Sequence, residues 1–135
     1  MTMEGFSLLE LLIALAITAI LIAITIPPYT HHVIKGKRLD GKIALFDLAA
    51  RLERYYAEQH TYASATLGAH VPTDVLSADT SQQGFYRLSI VNQTNSTFLI
   101  QATPIPEKFR DNECGALQLN QLGEKLATGA KLNCW

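Results

Sequence analysis

The chain has 135 residues, 48% of them hydrophobic and 17% charged, and its eleven basic and twelve acidic side chains give a formal net charge of −1. That length holds one small domain and excludes a large multi-domain enzyme; the balanced charge lacks the net basicity with which general DNA-coating proteins collect phosphate. Two cysteines without CxxC spacing are too few for a zinc site and stand either for one disulfide or for two separate thiols.

The first element in the chain is apolar. Residues 6–26 read FSLLELLIALAITAILIAITI, and no Asp, Glu, Lys or Arg lies between Leu11 and Ile34. About 20 such residues span a bilayer. The basic n-region and short apolar core of a cleaved secretory signal are missing, so a retained anchor is expected. Each of the thirteen Phe, Leu and Ile in this run favours insertion by about 0.3 to 0.6 kcal/mol. Together they outweigh the single carboxylate, Glu10, at a cost of about 2.5 to 3.5 kcal/mol. An ionisable residue in such a segment is a functional candidate with a partner to be named; the bland alternative is that it snorkels to the headgroups. Lys35, Lys37, Arg38 and Lys42 follow the run and nothing basic precedes it, which by the positive-inside rule alone would leave the remainder in the cytoplasm.

Pro27 and Pro28 remove two backbone donors, predicting a kink or a locally melted turn, after which the helix resumes by Tyr29. Leu45, Leu48, Ala49, Leu52, Tyr55 and Tyr56 recur at helical spacing and carry it to about Tyr62. Such a helix is about 80 Å long, so lipid or other copies of itself must bury its first half. Residues 63–84, rich in Ser, Thr, Ala and Gly, read as a connecting loop. FYRLSIV (85–91) and TFLIQA (97–102) read as one antiparallel hairpin, ALQLN (116–120) and EKLAT (124–128) as a second. One long helix over four short strands is an α+β layer.

Catalytic signatures are missing. No Gly-rich phosphate loop, HExxH, nucleophile elbow or carboxylate pair stands out, and His31, His32, His60 and His70 lack ligand spacing, so no enzyme activity, metal or cofactor is expected. Asp111, Asn112 and Glu113 carry calcium-ligand chemistry but read as a turn, and the sequons at Asn92 and Asn95 fall in the first hairpin's turn. The basic residues Lys35, Lys37, Arg38, Lys42, Arg51 and Arg54 read as a solvated or headgroup-facing stripe, and no aromatic-basic interleaving marks a base-stacking surface.

The run GFSLLELLIALAITAILIAITIPPY resembles the processing site and N-terminal helix of a type IV pilin of the type IVa class. Glu4 in the leader and Ser7 depart from the family's usual residues. The resemblance implies a leader over residues 1–5, cleavage between Gly5 and Phe6 by a membrane aspartic peptidase, and N-methylation of Phe6. It makes residues 6–28 a transmembrane and assembly helix in which Glu10 meets a neighbouring subunit's N-terminus, a pairing that sets register more than stability. The segment DNECGALQLNQLGEKLATGAKLNCW is similar to the disulfide-bounded end of these pilins, implying a Cys114–Cys134 bridge. A bridge needs an oxidising compartment, so the resemblance places residues 29–135 in the periplasm against the positive-inside count.

What the resemblance implies is a structural subunit. It is an inner-membrane precursor, then part of an extracellular pilus that serves adhesion, twitching motility and DNA uptake. The implied partners are other pilin subunits, the prepilin peptidase, the inner-membrane assembly platform and membrane lipid. Two alternatives share the motif. RLDGKIALFDLAARLERYYAEQHTYA resembles minor pilins that act as DNA-uptake receptors, making DNA a partner, and type II secretion pseudopilins share the processing site and helix.

Overall fold

The structure, a computed structural model, describes residues 6–135 and, within the long helix, all side chains except those of residues 25–28 and 31. That helix, α1, runs Leu8–Gln59. Its backbone stays helical through Pro27 and Pro28, so the melted turn expected there is not formed. It also stops short of the expected Tyr62. His60 takes a left-handed φ of 57° and its N–H bonds to the Tyr56 carbonyl at 2.7 Å, the single-bond left-handed cap that closes a helix.

The chain divides into two compact units, Met1–Lys35 and Gly36–Trp135. In the first, the apolar side chains of α1 face outward all round, from Leu8 at 77% exposure to Ile24 at 69%. Among the described residues no helix is long and apolar enough to cross a membrane. The described side chains of the apolar run end at Ile24, short of the roughly 20 residues a bilayer requires.

The second unit owns a hydrophobic core. The stretch expected to be a plain loop instead contains two very short strands, β1 (Thr66–Leu67) and β2 (Asp74–Leu76), paired in parallel. The Thr66 N–H bonds to the Thr73 carbonyl and the Gly68 N–H to the Leu76 carbonyl, both at 3.0 Å, and Asp74 braces the pair by accepting from Thr66 Oγ1 at 2.6 Å and the Val71 N–H at 3.3 Å. Both predicted hairpins are present. β3 (Tyr86–Gln93), β4 (Phe98–Pro104), β5 (Leu117–Asn120) and β6 (Lys125–Ala127) form one antiparallel sheet in sequence order. Alternation places Tyr86, Leu88, Phe98, Ile100, Ala102, Leu117 and Leu119 in the core, where Leu45, Leu48 and Leu52 of α1 are also buried. Gly41 permits the contact between helix and sheet, because a Cβ there would stand 2.9 Å from the Tyr86 ring.

Beyond β4 the chain is bound by a disulfide. Cys114 and Cys134, both buried, are bonded with Cα atoms 5.6 Å apart, as the resemblance implied. Closing a loop of this length stabilises a fold by about 3 kcal/mol in the chain-entropy account.

Candidate functional site

Gly5 lies outside the described residues. Phe6 is 80% exposed, and Glu10 sits exposed in the first turn of α1, where unpaired backbone N–H groups favour a negative charge. It is the one charged side chain among the outward-facing apolar residues of α1 up to Ile24.

Arg38 does not belong to the solvated stripe in which the sequence reading set it. It is 5% exposed, and its guanidinium grips Asp111 bidentately through Nε and Nη2. Nη2 also donates to Glu113 at 2.9 Å, and Lys131 Nζ reaches the same Glu113 oxygen at 2.7 Å. The Cys114 N–H donates to Asp111 Oδ1 at 3.1 Å. Burial alone would raise the Asp111 pKa, but the bonds from Arg38 and the Cys114 N–H hold it below the ordinary carboxylate value. The Asp111–Asn112–Glu113 run thus fastens the disulfide-bounded segment to α1. Among the described residues no group of three or more His, Cys, Asp or Glu could hold a metal ion.

Other cations are neutralised within short range. Arg51 pairs with Asp47 at 2.9 Å, Arg54 with Glu58 at 3.2 Å and Arg87 with Asp79 at 3.5 Å. Lys35, Lys37, Lys42, Lys108, Arg110 and Lys125 have no carboxylate partner among the described residues.

Two of them, Lys125 and Lys37, each lie over a pair of aromatic rings, one pair on each of two flanks of the domain. On one, Lys125 Nζ from β6 lies 5.4 Å from the Phe46 ring centre and 5.9 Å from that of Trp135. The two rings meet edge to face at 6.1 Å, and Trp135 Nε1–H donates to the Leu126 carbonyl at 2.7 Å. Lys42 lies one helical turn before Phe46; its pKa is lowered by burial and then by the nearby charges of Arg38 and Lys125. On the other flank, Lys37 Nζ lies 4.9 Å from the Phe85 ring centre and 5.2 Å from that of Phe109. Lys108 Nζ lies over Gly84 there, 2.9 Å from where a Cβ would stand. No aromatic-basic interleaving in the sequence announces these lysine–ring contacts. Phe46 and Trp135 are 89 positions apart in the sequence, and only the fold brings them together.

A cleft of about 420 Å³ between α1 and the approach to β3 is lined by Asp40, Ile43, Leu76, Ser81 and Leu88. The buried Asp40 carboxylate there accepts from the Ser81 hydroxyl and the Gln83 N–H, so it is engaged within the fold.

Comparison with known proteins accounts for both halves of the chain. Residues 2–26 match the prokaryotic N-terminal methylation motif, which with the long helix, four-stranded sheet and terminal disulfide defines a type IV pilin subunit. Residues 27–118 match the model described as type IV minor pilin ComP, DNA uptake sequence receptor, and the chain belongs to that family. Among solved structures, the non-core minor pilin PilV of Neisseria meningitidis has the same fold, at 22% identity and a TM-score of 0.51 over 69% of this chain and 84% of that one. A type IV pilin of Shewanella oneidensis aligns at 24% identity and a TM-score of 0.48 over 75% of this chain and 96% of its own. No curated protein matches the chain.

Proposed function

We propose that the chain is a minor type IV pilin that captures DNA at the cell surface. Its precursor is anchored in the inner membrane by residues 6–28, with residues 29–135 in the periplasm. The leader over residues 1–5 is removed between Gly5 and Phe6 by the prepilin peptidase, and Phe6 is N-methylated. The assembly platform then passes the subunit from lipid into a filament of other pilins. One observation carries this reading: the methylation motif and the minor-pilin domain described as a DNA uptake sequence receptor stand end to end in this chain.

Physical chemistry supports each step. The outward-facing apolar residues of α1 need lipid or neighbouring helices around them. Glu10 in such surroundings is costly unless paired, and the α-amino cation released by cleavage is a counter-charge of the right kind in an adjacent subunit. The disulfide requires an oxidising compartment. The six cations without carboxylate partners among the described residues supply phosphate contacts. Adhesion and twitching motility are properties of a filament that the subunit shares by joining it.

The test uses native membranes, sheared filaments and the purified mature protein. Gly5→Val should leave the precursor mass unchanged by processing, and Glu10→Val should insert in the membrane yet be missing from sheared filaments. Mature protein should retain duplex DNA in a salt-dependent manner. Normal maturation of Gly5→Val, normal incorporation of Glu10→Val, or no salt-dependent retention would each remove the corresponding step.

A further inference from the structure

We infer that Phe46, Trp135, Lys42 and Lys125 form a site for an unpaired nucleobase and its phosphate, so that this flank of the domain takes single-stranded DNA. The inference rests on the reading of the chain as a DNA-binding pilin and adds to it a place and a strand form.

Three observations lead there. First, the aromatic pair is open. Phe46 is 47% exposed although it packs edge to face on Trp135, and the Trp135 ring is fixed in orientation by its hydrogen bond to the Leu126 carbonyl. Second, Lys125 lies over both ring faces and Lys42 stands one turn before Phe46 on α1, and neither has a carboxylate partner among the described residues. Third, this concentration of like charge is unfavourable in the free protein. Arg38 and Lys125 both act against the Lys42 charge, while the acids nearest Arg38 are already engaged by Arg38 and Lys131. An anion bound here relieves that repulsion.

The ligand must therefore offer negative charge and a flat apolar face within a few ångströms of each other. An unstacked nucleotide does so, with its base against an aromatic ring and its phosphate between two ammonium groups. The bases of an intact duplex are stacked on one another and present their faces only at its ends, so the site discriminates by strand form rather than by sequence. Every base has such a face, and the expected preference among sequences is slight.

The chain contains one tryptophan, so its fluorescence reports the site directly. The experiment titrates the mature protein in neutral detergent with a twelve-nucleotide oligothymidylate, the matching duplex, an abasic oligomer of equal length and anionic phospholipid vesicles. Oligothymidylate should quench Trp135 and bind; the abasic oligomer should bind at least about fivefold more weakly, the loss of one stacked base. Lys125→Gln should weaken oligothymidylate binding and make its log–log salt slope shallower by about 0.7. Phe46→Leu, which keeps an apolar side chain on α1, should weaken oligothymidylate binding and leave abasic binding unchanged. Unchanged thermal unfolding of both variants separates lost binding from lost fold.

Equal binding of the abasic oligomer would overturn the inference, as would quenching by vesicles alone or oligothymidylate binding that neither variant changes. Retention of duplex without quenching by oligothymidylate would leave the DNA reading intact and remove this site. Quenching by oligothymidylate without duplex retention would keep the site and remove duplex capture.

Discussion

Replacing Asp111 by Asn tests what fastens the disulfide-bounded segment to α1. The carboxylate is 1% exposed and its partner Arg38 is 6% exposed at the side chain, so the pair sits in a low-dielectric setting where its geometry counts. Asn keeps the size of Asp and an oxygen for the Cys114 N–H, but removes the charge that two Arg38 N–H groups address. Breaking a buried pair costs about 3–5 kcal/mol, because the remaining charge is left without compensation. Glu113 stays 2.9 Å from Arg38 and offsets part of this, although at 46% exposure it is weakened by solvent. The expected loss at pH 7 is about 3 kcal/mol, or about 12–24 °C in Tm for a domain of this size. The pH dependence carries the sign. A carboxyl with a folded pKa depressed below its unfolded value of about 3.9 contributes stability above that value, lost as pH falls through the folded pKa. Wild type should therefore lose its advantage over the variant between about pH 5 and pH 2. The assay is thermal unfolding by circular dichroism of the disulfide-intact protein across that range. A difference below about 1 kcal/mol at pH 7, or one of equal size at pH 7 and pH 2, would refute the reasoning.

Two further substitutions probe the core. Replacing Cys114 and Cys134 together by Ala should cost about 3 kcal/mol in denaturant unfolding, and a reductant should have the same effect on wild type; indifference to both would show that the loop is held by its ion pairs alone. Tyr86→Phe should be neutral or stabilising by up to about 1 kcal/mol, since the Tyr86 hydroxyl is buried without a hydrogen-bond partner among the described residues. The same burial, with the nearby Asp111 charge, keeps the phenol from ionising at ordinary pH. A lowered urea midpoint for Tyr86→Phe would mean that the hydroxyl is satisfied in solution.

The parts of the fold legible in the sequence are those with sustained local pattern. Leu45, Leu48 and Leu52 repeat at helical spacing, and the alternation through Tyr86–Leu88 and Phe98–Ala102 gives both the strands and their buried face. β1 and β2 were not legible, because two or three residues carry no period and their pairing rests on a pair of backbone bonds braced by Asp74. The end of α1 rests on His60 entering a left-handed conformation that nothing in its residue type demands. The site divides the same way. The processing motif is contiguous, so Gly5, Phe6 and Glu10 stand out on inspection. Arg38 does not, because it shares a helix face with Lys35 and Lys42, and its partner Asp111 is 73 positions away. Spacing alone makes it one more solvated cation.

That distribution of charge is hidden in the overall composition. A net charge of −1 averages over cations with different fates. Arg38, Arg51, Arg54, Arg87 and Lys131 are engaged by acids, which leaves Lys35, Lys37, Lys42, Lys108, Arg110 and Lys125 without a carboxylate partner among the described residues. These do not act as one surface. Lys37 and Lys42 are five residues apart on α1, about 140° around the axis, and each joins a different aromatic group. A duplex lying on one flank therefore meets two or three of the six. With each neutralised phosphate adding about 0.9 to the slope of log affinity against log salt, retention of duplex should show a slope of about −2 to −3. A slope near −5 would require both flanks to engage at once, through bent DNA or neighbouring subunits, and would shift the proposed contact from the single domain to the filament.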